Sequence, residues 1–201
     1  MTTTNQKSAA AIMDTPDSEL MARLAAGEDL ALNSLMDRWS SRVMAFLYRM
    51  TGQRETAADL AQETFVKLYQ ARSRYRPQGK FSTWIFTIAA NLARNHNRWK
   101  SRHPTVSIHA TDSDGAETFP ETVAPDQTPE ESAKARETAA AVDQAILSLP
   151  IELRESLTLF VYEDLAYTEI ATLSHCTPKA VETRIYRARQ LLKEKLKDLR
   201  A

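Results

Sequence analysis

Two stretches of helical periodicity, separated by about twenty-five residues that have none, constrain this chain more than any other feature of its sequence. From Leu32 to Met50 the residues Leu32, Leu35, Met36, Trp39, Val43, Phe46, Leu47 and Met50 recur at steps of three and four, which sets them on one face of a long helix. Thr51-Gly52 ends it. A second helix, about Glu55 to Ala71, carries Ala57, Leu60, Ala61, Thr64 and Leu68 on one face. Tyr75-Arg-Pro-Gln-Gly-Lys80 reads as a loop because it holds Pro77 and Gly79. Ser82 is placed to N-cap a third helix reaching about Arg102, with Ile85, Ile88, Ala89 and Leu92 inward.

Residues 104–128 break the pattern. They carry Pro104, Gly115, Pro120 and Pro125, little periodicity and many acids, too little apolar surface to offset the entropy of ordering them. Periodicity resumes near Pro129, a first-turn residue followed by Glu130 and Glu131. Val142, Ala145, Ile146 and Leu149 give that helix its inner face, and Pro150 breaks it. Leu153, Leu157, Phe160 and Val161 mark another helix, and Thr168–Leu173 and about Pro178–Leu199 two more. Nothing alternates as a strand would, and no segment repeats. The expectation is an all-α chain of two small helical domains on a flexible acidic linker. A flexible tail covers 1–16, one domain 17–103, the linker 104–128 and the second domain 129–201.

The formal net charge of zero conceals a strong charge pattern. Between Thr64 and His103 stand Lys67, Arg72, Arg74, Arg76, Lys80, Arg94, Arg98, Lys100 and Arg102, with no Asp or Glu among them. Tyr75, Phe81, Trp84, Phe86 and Trp99 run through the same stretch. Cations for phosphates and flat rings for unstacked bases are what single-stranded nucleic acid requires. Pro104–Glu131 is purely acidic, and the C-terminal segment turns basic again.

Other classes are disfavoured. A single cysteine, Cys176, excludes a disulfide framework and fits a reducing cytoplasm. No apolar run approaches the roughly 18–20 residues of a membrane span, and Met1–Met13 lacks the apolar core of a signal peptide. His96, His103, His109 and His175-Cys176 have no spacing that closes a metal site of about four ligands. No phosphate-binding glycine loop, nucleophile elbow or paired acid and histidine is present, so neither a cofactor nor enzymatic activity is expected.

Tyr167–Leu173, the turn Ser174-His175-Cys176-Thr177 and the basic helix that follows form a helix-turn-helix pattern. Val181, Ile185, Ala188 and Leu192 can face inward, which leaves Glu182, Thr183, Tyr186, Arg187 and Arg189 for base edges and phosphates. From these residues alone, an ordinary helical hairpin with a solvated cationic face stands beside that reading.

Four segments in order and register resemble a known family. Asp59-Leu-Ala-Gln-Glu-Thr-Phe65, Phe81-Ser-Thr-Trp-Ile-Phe-Thr-Ile-Ala-Ala-Asn-Leu-Ala-Arg94, Leu149-Pro-Ile-Glu-Leu-Arg154 and Ala180-Val-Glu-Thr-Arg-Ile-Tyr-Arg-Ala-Arg189 are similar to sigma factors of the extracytoplasmic-function (ECF) branch of the sigma-70 family. The resemblance covers nearly everything from residue 17 onward. It implies two domains, sigma region 2 and region 4, that bind core RNA polymerase and direct it to promoter DNA for transcription initiation.

By the resemblance, Asp59, Gln62 and Glu63 dock on the clamp helices of the polymerase. Polar groups on one helix can set the orientation of a basic partner; compensation of the helix dipole would explain Asp59 but not Gln62. The minus-ten element falls to Arg76, Gln78, Lys80 and Phe81 in the loop and to Asn91, Arg94, Asn95 and Arg98 on the helix. Trp84 is either a strand-separating wedge or core. The family flips a base out here, at a cost of a few kcal/mol that stacking and edge hydrogen bonds must recover. The minus-thirty-five element falls to Lys179, Glu182, Thr183, Arg184, Tyr186 and Arg187.

Two departures stand out. Glu182 occupies a position where relatives often carry a basic residue; a carboxylate there can accept from cytosine N4, which implies an altered base preference. His175 replaces the usual turn glycine and must adopt positive φ at some cost. The resemblance further implies an acidic linker that occupies a nucleic-acid channel of the polymerase, a cytoplasmic location, no membrane insertion and, for many relatives, an anti-sigma factor as partner. A free-standing helix-turn-helix regulator and a protein-only helical adaptor are the rival readings. The first would bind an operator without polymerase; the second would bind independently of nucleic acid and salt.

Overall fold

A computed structural model of the chain describes residues 16–76, 79–103 and 129–197. Among these residues there are eight α-helices and no strand: α1 Asp17–Ala25, α2 Leu30–Thr51, α3 Arg54–Gln70, α4 Phe81–Arg102, α5 Pro129–Leu147, α6 Ile151–Val161, α7 Tyr167–Leu173 and α8 Pro178–Lys195. A 3-10 turn, Arg72–Arg74, follows α3. The expected linker and the N-terminal tail to residue 15 lie outside the described residues.

The chain divides into two compact units. One takes in residues up to Tyr48 and Gln53–Ala93; the other takes in Arg49–Gly52 and everything from Arg94 onward. Their edges fall inside α2 and α4, so the second unit includes the last turns of both helices.

In the first unit most of the periodic residues turn inward, but Met36, expected on the same face, is 38% exposed and Leu32 is half-buried at its edge. Leu35, Trp39, Val43, Phe46 and Leu47 of α2 are buried, as are Ala57, Leu60, Ala61, Thr64, Phe65 and Leu68 of α3. An aromatic chain forms the centre. The Trp39 ring lies 5.3 Å from Phe81 and 6.1 Å from Phe86, and Phe86 lies 5.3 Å from Phe46. Tilted and edge-on pairs of this kind add roughly 0.5–1.5 kcal/mol each beyond their buried area. The helix α4 begins at Phe81, one residue before the expected cap, and Ser82 sits inside its first turn. The Phe81 ring at that start packs on Trp39.

The second unit is built on α6 and α8, with α7 between them in sequence and packed on both. Leu157, Leu159, Ile170, Leu173, Val181, Ile185 and Ala188 are buried there with Ile146 and Leu149 of the α5 end. Val161, one of the apolar residues that mark α6, is exposed on its last turn, while Leu159 is buried in the core. Thr177 caps α8, its hydroxyl accepting from the Ala180 amide at 3.1 Å, with Pro178 in the first turn. His175 has φ 52°, the left-handed conformation that its position in the turn demanded. The helix ends at Lys195, short of the expected Leu199, which lies outside the described residues.

Candidate functional site

The polar cluster on α3 is a surface. Asp59, Gln62 and Glu63 are all exposed, while the residues between them turn into the core. Glu63 pairs with Lys67 at 3.2 Å on the same face. Val66 continues the stripe one turn on and is 52% exposed, an apolar residue left in water beside three polar ones. Its position, i+7 from Asp59, was readable from the sequence, but a lone valine carries no signal until its exposure is known.

The loop before α4 frames a concavity of about 380 Å³ lined by Asp17, Ser18, Trp39, Tyr75, Gly79, Lys80, Phe81 and Ser82. Three of these are rings, Trp39, Tyr75 and Phe81, with Tyr75 6.3 Å from Phe81. The Trp39 Nε1 and the Tyr75 hydroxyl are both buried with no hydrogen-bond partner in the described structure. Burial, and then the nearby Asp17 carboxylate, raises the Tyr75 pKa, so the phenol stays protonated and able to donate. Lys80 is exposed at the rim.

The expected loop readers are therefore not equivalent. Arg76 is exposed but folds its guanidinium onto the carbonyls of Ser73 and Tyr75, at 3.3 and 3.1 Å. Phe81 is buried in the aromatic core and forms part of the lining of the concavity. Trp84 is half-buried against Tyr75 and Phe81, which places it with the core alternative. Gln78 lies outside the described residues.

On α4, Asn91, Asn95 and Arg98 are exposed at helical spacing, with no acid along the helix. Arg94, also on this helix, is half-buried. Its Nη1 donates to the Glu155 carboxylate of α6 at 2.8 Å, and the Ser174 hydroxyl donates to the same oxygen at 2.6 Å. Burial raises the Glu155 pKa; the Ser174 hydrogen bond, Arg94 and Arg184 each oppose that rise. Sequence reasoning missed Glu155, because the residue stands in an amphipathic helix where a glutamate ordinarily faces water.

The basic helix α8 shows Lys179, Glu182, Thr183, Tyr186 and Arg187 to solvent, with Tyr186 64% exposed. Lys179 and Glu182 pair at 2.8 Å, and the Thr183 hydroxyl donates to the Lys179 carbonyl. Arg184 is the exception among the expected readers. It is half-buried, 3.6 Å from Cys176 Sγ and 3.2 Å from Glu152, so it ties the turn and α6 to α8 and leaves the outer face to its neighbours. Among the described residues no three His, Cys, Asp or Glu side chains gather where a metal ion could bind, and no helix is long and apolar enough to cross a membrane.

Comparison with known proteins agrees with this layout. Residues 35–103 match the family model Sigma-70 region 2, and residues 139–192 match Sigma-70, region 4. The RNA polymerase sigma-H factor of Pseudomonas aeruginosa is 33% identical over 184 residues, which span 91% of this chain and 95% of that protein. The ECF RNA polymerase sigma-E factor of Haemophilus influenzae is 32% identical over 184 residues, 91% of this chain and 96% of that one. Among solved structures, CnrH in complex with the cytosolic domain of CnrY superposes with a TM-score of 0.64 at 25% identity, covering 90% of this chain and 97% of that one. With both regions matched in order and near full-length relatives above 30% identity, the chain belongs to the extracytoplasmic-function sigma factors of the sigma-70 family.

Proposed function

We propose that this sigma factor binds core RNA polymerase through the α3 face of Asp59, Gln62 and Glu63, with Val66 as its apolar contact. Residues 17–103 open and read the minus-ten element, and residues 129–201 read the minus-thirty-five element. The observation that carries the minus-ten assignment is the ring-walled concavity beside Lys80. A flipped base is a flat body of the kind that aromatic walls receive by stacking. Lys80 at the rim suits the phosphate, and Asn91, Asn95 and Arg98 extend the track along α4.

On the upstream element, Glu182, Tyr186 and Arg187 are the readers and Arg184 their support. The acidic segment 104–128 tethers the two domains in a channel built for nucleic acid. The protein works in the cytoplasm, contributes no catalytic step of its own, and is open to control by an anti-sigma factor.

Co-purification with bacterial core RNA polymerase tests the reading, beside a triple Asp59→Ala, Gln62→Ala, Glu63→Ala variant. Binding by the wild type and its loss in the variant is the expected result. A folded wild type that captures no polymerase, yet shifts a specific duplex on its own, would replace this reading with that of a free-standing regulator.

A further inference from the structure

Five rings run through the acid-free stretch between Tyr75 and Trp99, and the fold uses four of them internally. Phe81 and Phe86 are buried, and Tyr75 and Trp84 are half-buried against each other. Trp99, near the end of α4, is 56% exposed. An indole left that open costs solvation that the fold recovers for its other tryptophans.

Trp99 is also held in place. Its ring stacks on the His103 imidazole, with centroids 5.0 Å apart and planes 23° from parallel. His103 Nδ1 lies 3.1 Å from the Trp99 carbonyl, which fixes that imidazole over the helix end. Arg98, Lys100 and Arg102, all exposed, are the neighbours of the pair along the helix, and no carboxylate occurs in the sequence from Thr64 to His103. A protein partner of ordinary composition has no reason to prefer a ring bounded by cations alone. A phosphate-bearing strand with a bare base face does, since stacking supplies the ring contact and the cations meet the backbone.

We infer that Trp99, backed by His103, is a stacking platform for an exposed base face of promoter DNA, with Arg98, Lys100 and Arg102 on the adjoining phosphates. This rests on the promoter-reading role proposed above and adds a contact to it. The base face has two sources: an unpaired base of the opened strand, or the last intact pair at the edge of the opened segment.

The test uses holoenzyme reconstituted with full-length wild type, Trp99→Leu and Trp99→Phe, on a promoter that the wild type opens. Trp99→Leu keeps apolar cover for the helix end but removes the ring. It should bind core polymerase as the wild type does and shorten promoter-complex lifetime about tenfold, by the worth of one stacked base. Trp99→Phe should lose much less. Single abasic sites placed across the strand should then reveal one position that costs the wild type but not Trp99→Leu. A template melted in advance separates the sources. On that template the Trp99→Leu deficit is relieved by an abasic site inside the bubble for an unpaired base, and only by one in the flanking duplex pair for a terminal pair. Equal lifetimes for the wild type and Trp99→Leu overturn the platform. So do equal losses in the Leu and Phe variants, abasic penalties identical in both proteins at every position, or a deficit traced to weaker core binding. Failure of the wild type itself to form promoter complexes would instead strike the underlying promoter-reading role.

Discussion

Arg94 and Glu155, 61 positions apart in sequence, share a hydrogen-bonded ion pair of 2.8 Å in which the carboxylate is only 4% exposed. A buried charge of this kind persists because its partners replace the water it lost, and the Ser174 hydroxyl supplies the second donor. Glu155→Ala should therefore destabilise the fold by about 2–4 kcal/mol, since it strands Arg94 and Ser174 together. Urea denaturation followed by circular dichroism measures this. A loss of less than about 0.5 kcal/mol would show that the pair is not part of the stable fold.

The same carboxylate sets a pH dependence. Burial raises the Glu155 pKa above its ordinary 4.5, so over the interval just above that value the folded state holds a proton the unfolded state has released. The stability it contributes is complete below the unfolded pKa and is lost as pH rises through the folded one. Glu155→Gln removes this slope, so the variant should gain on the wild type as pH rises from about 4.5 toward neutrality. His96 acts in the opposite sense. Burial first, and then Lys100, lower its pKa, which makes stability fall as pH drops below the ordinary imidazole value of 6.5. Urea midpoints for the wild type and Glu155→Gln across that range separate the two, and parallel curves would rule out Glu155 as a source.

Arg94 and Arg98 lie one turn apart on α4, yet their substitutions should differ. Arg98 is exposed, so Arg98→Ala should slow promoter opening while leaving stability within about 0.5 kcal/mol. Arg94→Ala should lose stability as well, because it abandons Glu155. Thermal melts beside an opening assay distinguish them. Identical melting behaviour would mean that the Arg94 pair contributes nothing to the fold.

On α8 a parallel contrast holds between Glu182 and Arg184. Glu182→Arg should shift base preference at the upstream element, away from cytosine at the contacted position, and hardly move stability. Arg184→Ala should cost about 1 kcal/mol, because it breaks the contacts to Cys176 and Glu152, with base preference unchanged. Selection of bound sequences from a randomised upstream element, with both variants in holoenzyme, reads this out. An unchanged profile for Glu182→Arg would remove it from the readers.

Much of this architecture was legible because helical spacing is a local property. The buried faces of α2 and α3 and the turn at His175 follow from steps of three and four and from the chemistry of the backbone. The roles of Arg94, Phe81 and Arg184 were not legible, since a cation or a ring inside a basic stretch looks the same whether it faces a partner or the core. Only packing distinguishes Phe81 in the aromatic core from Trp99 in the open. Glu155 was hidden for the converse reason: its partners stand 61 residues before it and 19 residues after it.

Arg154 offers a last case. Burial lowers its pKa, though a guanidinium keeps its charge in any accessible range. Its fork donates to the carbonyls of Met50 at 2.9 Å, of Leu149 at 3.0 Å, and of Leu147, so one side chain satisfies the closing carbonyls of both α2 and α5. Asn97 adds a donor to the same Met50 carbonyl at 3.2 Å. Two helix ends tied to one ion cannot fray one at a time. In native-state hydrogen exchange their last-turn amides would open with a single shared free energy, making residues far apart in sequence one cooperative unit.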